Sequence, residues 1–200
     1  MDKKQIVTAI VLTQVLYTQQ LGPVADNQNP LISPVVKSFL LPGWGEYSLG
    51  NQIRGRIFVL SETTLFLAIL GSHFISKRQE TEFIASAAEH AGISPVGKDR
   101  QFWVAIGNYS SLLAFNEEHL RWRDFNAIYE DNDTWTWSWD SNDNRERFEN
   151  MRIASDSWML RSSFFIGGVV LNHIVSAIDA LYLSKISNIK ETVVSANYDP

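Results

Sequence analysis

IFVLSETTLFLAILGSHFI, residues 57–75, decides how the rest of this chain is read. Nineteen residues at 1.5 Å each approach the hydrocarbon thickness of a bilayer, about 30 Å, and only Glu62 carries a formal charge. Arg54 and Arg56 bound the stretch on one side, Lys77 and Arg78 on the other. A second run, Ser162 to Leu183, has the same character between Arg161 and Lys185. A soluble helix of this length normally shows one charged face; neither stretch has one. Two buried helices of a soluble bundle are the alternative.

Working outward, the two stretches are expected to be antiparallel transmembrane helices, because residues 76–160 carry the chain from the end of one to the start of the other. Small side chains recur every fourth position on the second, at Gly168, Asn172, Ser176 and Ala180. Ser61, Thr64, Ala68 and Gly71 make a comparable stripe on the first. Helices in lipid associate by close backbone approach and interhelical hydrogen bonds, so these stripes are expected to face each other. Taking the apolar ends as level pairs residues whose numbers sum to about 240, which puts Glu62 beside Asp179 and Asn172 beside Ala68.

Glu62, Asn172, His173 and Asp179 form the candidate intramembrane polar cluster, since ionisable groups inside spans point to an ion or proton path. The plainer reading is an interfacial ion cluster, in which Arg54, Arg56 and Lys185 reach Glu62 and Asp179, plus one hydrogen-bonded histidine.

Before the first span, residues 35–50 contain FLLPGWGEY at 39–47. This apolar run is too short to cross and is broken by Pro42-Gly43, which suits a re-entrant or interfacial helix. Gly43 and Gly45 permit a tight turn, and Trp44 and Tyr47 are anchors of the kind found at headgroup level. Residues 1–20 read as a signal peptide, with an uncleaved N-terminal anchor as the alternative: Lys3 and Lys4 precede an apolar run from Ile6 to Tyr17. Residues 21–34 form a linker rich in Pro and Asn.

Residues 76–160 are polar, aromatic and helical in pattern. Gln79–Ala91 reads as one helix, Lys98–Tyr129 as a second that Asn108-Tyr109-Ser110-Ser111 divides, and Asp143–Leu160 as a third that runs into the second span. Trp135, Trp137 and Trp139 alternate with Thr and Ser, so an extended backbone puts the three rings on one face. That face is a candidate aromatic surface for a sugar or peptide, or it packs on the domain's own helices or lies on the membrane interface. Residues 130–133 and 140–144 resemble calcium loops in composition but lack the ligand spacing. Residues 184–200 are expected to be a flexible tail.

The fold class expected is therefore mainly α: a helical membrane protein with two antiparallel transmembrane helices, a re-entrant or interfacial helix, and a Trp-rich helical domain inserted between the spans.

Leu41-Pro42-Gly43-Trp44-Gly45, followed by Tyr47, Gly50 and Gly55, together with Asn172-His173-Ile174-Val175-Ser176-Ala177-Ile178-Asp179-Ala180, resembles an uncharacterised family of bacterial envelope proteins over residues 31 to about 185. Glu46 stands where that pattern carries Gln. The resemblance implies a membrane protein and no particular activity.

Several chemistries are excluded or unsupported. A net charge of −5 argues against nucleic acid as a partner, and the chain has no cysteine, hence no disulfide or zinc–thiolate site. No Gly-rich phosphate loop, paired metal-binding histidines or nucleophile elbow is present, so no cofactor, metal or catalytic residue is expected. The function expected is a non-enzymatic envelope assembly component in a bacterial membrane, the inner membrane favoured, multi-pass, with the bilayer and envelope proteins or itself as partners. The alternative is a small ion-coupled transport protein using Glu62, His173 and Asp179. Lys and Arg flank the spans almost evenly, so the positive-inside rule does not orient them. If residues 33–50 only dip into the membrane, the central domain is cytoplasmic.

Overall fold

The computed structural model describes residues 32–196, which are mainly helical and contain no strand beyond one isolated bridge. The signal or anchor and most of the linker expected at 1–34 lie outside the described residues. The elements are α1 (Pro34–Leu40), α2 (Trp44–Ser48), α3 (Gln52–Ala91), α4 (Arg100–Asn108), α5 (Leu112–Arg121) and α6 (Asn142–Ala196). They fall into two compact units, one comprising residues up to Leu70 and from Ser163 onward, the other Gly71–Ser162.

The helix separately expected at Gln79–Ala91 is the second half of α3, which runs unbroken for 40 residues. No Pro or Gly-rich break separates residues 75 and 79, so nothing stops the helix where its apolarity stops. Likewise α6 is one helix of 55 residues, which begins in the polar region and takes in most of the tail expected to be flexible. Both contain a stretch long and apolar enough to cross a membrane.

In the first unit, Ser33 caps α1 by accepting from the Val36 N–H, and Pro34 occupies the first turn, where its missing N–H costs nothing. The chain then reverses at Leu41–Gly43 into α2. Gly43 has φ +93°, and a Cβ there would lie 2.5 Å from the Gly55 carbonyl oxygen. A Cβ on Gly55 would meet the Tyr47 ring at 2.8 Å. The turn thus lies directly on α3, backbone against backbone, and glycine at both positions makes that approach possible.

The pairing of α3 with α6 in this unit is antiparallel and is displaced from the expected register. Arg54 meets Asp179, Glu62 meets Asn172, and Leu65 lies under Gly168. These numbers sum to 233 or 234 rather than about 240, a shift of nearly two turns. The ends of apolar runs mark where charge begins, whereas register is set by which polar side chains find partners. On α6 the expected stripe is the contact face: Ser176 and Ala180 are fully buried, and Asn172 reaches across to α3. On α3 it is not. Thr64 and Gly71 are exposed, and the buried line runs through Gly55 and Glu62. Neighbouring residues project about 100° apart around a helix. Burying the Glu62 carboxylate against Asn172 therefore turns Ser61 and Thr64 away. We expect Ser176→Leu to destabilise the fold strongly, whereas Val170→Leu, on an exposed position, changes little. Denaturation in detergent measures both, and equal effects count against this face.

The second unit is organised by aromatics. Phe83, Phe102, Trp103, Phe115, Trp137 and Phe148 form its core with Ile106 and Leu112. Asp99 caps α4 and Ser111 caps α5 through the Phe102 and Ala114 N–H groups, so the break expected at 108–111 falls between two helices. Gly92, at φ +71°, ends α3. Residues 137–140 then run extended beside that end. Ser138 N–H donates to Ala91 O and Asp140 N–H to His90 O, satisfying carbonyls the helix leaves open, while Trp139 N–H donates to Ser110 O. Lower in this unit Ser76 and Ser155 exchange hydroxyl bonds to each other's carbonyl oxygens, both at 2.9 Å.

Candidate functional site

The first unit concentrates its polar groups on the inside. Ser38, Glu46, Glu62 and Ser176 are each 1% exposed or less, while large apolar side chains point outward. Three layers of polar contact follow α6 from Asn172 to Asp179.

In the first layer, Glu62 sits on α3 with both oxygens engaged. Asn172 Nδ2 donates to Oε2 at 2.8 Å and also to the Phe58 carbonyl oxygen at 3.1 Å. His173 Nε2 lies 3.1 Å from Oε1, and its Nδ1 lies 2.6 Å from the Phe39 carbonyl oxygen at the end of α1. His173 and Asn172 are neighbours on α6 and close on Glu62 from two sides. None of the expected cations, Arg54, Arg56 or Lys185, bonds to it.

One turn along, Glu46 occupies the second layer, with no cation bonded to it among the described residues. Ser176 Oγ donates to its Oε1 at 2.8 Å, and Ser38 Oγ donates to its Oε2. Each hydroxyl in turn accepts a backbone N–H of the turn, Gly43 for Ser176 and Gly45 for Ser38, both at 2.9 Å. This layer holds α1, the Pro-Gly-Trp-Gly turn and α6 together. Sequence reasoning listed the turn for its glycines and noted Glu46 only as a departure from Gln. The signal available was a carboxylate within an otherwise apolar, uncharged stretch, Ser38 to Leu49.

The third layer is the ion pair of Arg54 with Asp179, at 2.5 Å. It occupies Asp179 Oδ1 and leaves Oδ2 buried without a hydrogen-bond partner among the described residues. Asp179 therefore does not join Glu62 and His173, from which the register shift separates it by more than a turn.

Trp135, Trp137 and Trp139 of the second unit all pack inward, Trp135 from a turn and the other two from the segment that follows it. Trp137 is 1% and Trp139 9% exposed. Their Nε1–H groups donate to the carbonyls of Tyr109 and Ile106, at 3.2 and 2.7 Å. Trp135 stacks on Tyr129 with ring centres 5.1 Å apart, and the Lys98 ammonium lies 3.8 Å above its ring. The candidate aromatic surface is thus part of the core, with its half-buried edge covered by Lys98. Burial pushes the Lys98 amine below its usual range.

At the base of α6, Asn144 Nδ2 donates to Asp140 Oδ1 at 2.9 Å, and His90 Nδ1 lies 2.8 Å from Oδ2. The Asn144 bond first, then the His90 bond, holds the Asp140 carboxyl below the usual range. A carboxyl depressed in the folded state adds stability above its unfolded pKa and loses it as pH falls through the folded value. The parent's stability should therefore fall more steeply through the acid range than that of Asp140→Asn, which is the less stable of the two near neutral pH and changes less as pH falls. Parallel acid profiles would count against this contact.

Comparison with models of known protein families, with curated proteins and with solved structures returned no match.

Proposed function

We propose that this is an integral membrane protein of a bacterial envelope, crossing the inner membrane twice through α3 and α6 and serving as a non-enzymatic assembly component. The observation that carries the membrane reading is the inverted polarity of the first unit. Ile53, Leu60, Leu67, Phe164, Leu171 and Ile178 are between 58% and 74% exposed, while serines and carboxylates fill the interior. Of the most apolar windows of α3 and α6, only 11% and 17% are buried. Water does not tolerate an apolar surface this continuous, whereas lipid requires it. Protein in the membrane fraction should resist carbonate and urea washing and leave only with detergent. Release without detergent overturns this reading.

Neither α1, seven residues, nor α2, five residues, is long enough to cross. That supports a segment that dips and returns, with residues 76–160 cytoplasmic if the N-terminal segment delivers residue 22 onward outside. A reporter active only outside the cytoplasm, inserted at 142–144, should stay silent. The assembly role draws support from Leu113, Leu120, Trp122 and Phe125 in the second unit, between 49% and 77% exposed. Protein recovered in mild detergent should carry a defined partner that Trp122→Ser loses.

A second reading, ion coupling within the membrane, is favoured by the contact of Glu62 with His173. Glu62→Gln with unchanged assembly but lost cellular function would support it. The Arg54 pairing gives Asp179 a separate, structural place, so Asp179→Asn should act on stability alone.

A further inference from the structure

Glu62 and His173 are constrained in a way that concerns protons. A carbonyl oxygen only accepts, so the 2.6 Å contact with Phe39 O requires a hydrogen on His173 Nδ1. Between Nε2 and Glu62 Oε1 one further proton is needed, carried either by the imidazole or by the carboxyl. Both arrangements contain the same number of protons and sum to zero charge, so the proton belongs to the pair rather than to either residue. Asn172 donates to Oε2, so that oxygen too serves as an acceptor.

One proton count therefore satisfies every bond. With one proton fewer, lone pairs face each other either at Nε2 and Oε1 or at Nδ1 and Phe39 O. Among the described residues no cation bonds to the pair to compensate the carboxylate that would remain. Lys37 of α1 lies over the Trp44 ring, Glu46 of α2 is held by two serines, and Arg54 of α3 is paired with Asp179 of α6. The His173 side chain is 26% exposed and Glu62 1%, so the imidazole is the less enclosed member of the pair.

The geometry points to a proton-binding site at Glu62 and His173 whose occupied state clasps the end of α1 to α6 through the Phe39 carbonyl, and whose emptying releases α1. This deepens the ion-coupled reading and rests on it for its biological use. Its test reads proton occupancy and helix position directly, so it can fail while transport is found, or hold while none is.

The chain has no cysteine, so Val36→Cys and Val170→Cys, both on exposed positions, place one spin label on α1 and one on α6. Their separation is measured in detergent as pH is raised, and nitrogen NMR of the histidine ring follows His173. The expected result is a narrow distance distribution that lengthens over the range in which the ring nitrogen signals report loss of the shared proton. In Glu62→Gln the amide donates to Nε2 and its carbonyl oxygen accepts from Asn172 at every pH, so the distance stays short. Asp179→Asn leaves the pair intact and should open as the parent does. The proposal is overturned if the parent distance is unchanged across the ring titration, if Glu62→Gln opens in step with it, or if Asp179→Asn abolishes opening. Loss of helical circular dichroism over the same range also overturns it, because the whole fold then unfolds rather than α1 alone.

Discussion

Gly45→Ala should destabilise the first unit by on the order of 3 kcal/mol, the upper part of the range for forcing atoms into a packed site. A Cβ at this position falls far inside van der Waals contact with the Pro34 carbonyl and the Ser38 hydroxyl. The carbonyl belongs to the first turn of α1 and cannot retreat without moving that helix. Ser38 cannot rotate away either, because its hydroxyl accepts from the Gly45 N–H and donates to buried Glu46. Methyl insertion therefore disturbs two bonds of Ser38, one to the buried Glu46 carboxylate and one from the Gly45 N–H, as well as straining the turn. Gly167→Ala is the control, since nothing lies within 4 Å of its added Cβ and alanine favours a helix. Denaturant titration in detergent compares the two. Equal stabilities would mean that the turn does not rest on α1 as described.

Trp137→Ala should cost about 3–5 kcal/mol, as for a large aromatic removed from a core. Its ring packs edge-on against Phe102, with centres 5.6 Å apart, and lies near Phe115 and Tyr129. Removal also leaves the Tyr109 carbonyl without the indole N–H. A surface tryptophan serving a sugar or peptide would show little change on the same substitution, so the experiment separates the two readings. Loss of near-ultraviolet circular dichroism at lower denaturant is the measurement. Trp122→Ala, at a residue 77% exposed, should leave the unfolding curve nearly in place.

The helices and the two apolar stretches were legible because they depend on local pattern. Ser111 before α5 acts within a turn of itself, as the break read at 108–111 requires. The small-residue stripe of α6 was also legible, since close approach needs little side chain whatever the partner. Its counterpart on α3 was misread because Ser61, Thr64 and Gly71 are small without being buried. Smallness permits contact; only the need of Glu62 for donors selects the face.

By itself the sequence determined that the chain is mainly helical, that two helices are apolar enough to cross a membrane, that a Pro-Gly-Trp-Gly turn precedes the first, and that cysteine chemistry is absent. Each of these follows from composition or from spacing within a few residues. Tertiary structure alone decided that Glu62 meets Asn172 and His173 rather than Asp179, that Glu46 is buried between two serines, and that the three tryptophans pack inward. The physical reason is that a buried polar group is stabilised only by partners brought from elsewhere in the chain. Ser38 with Ser176, or Phe39 with His173, are more than 130 positions apart. Which of them meet depends on the register and rotation of α3 against α6, and one residue of rotation exchanges the whole set.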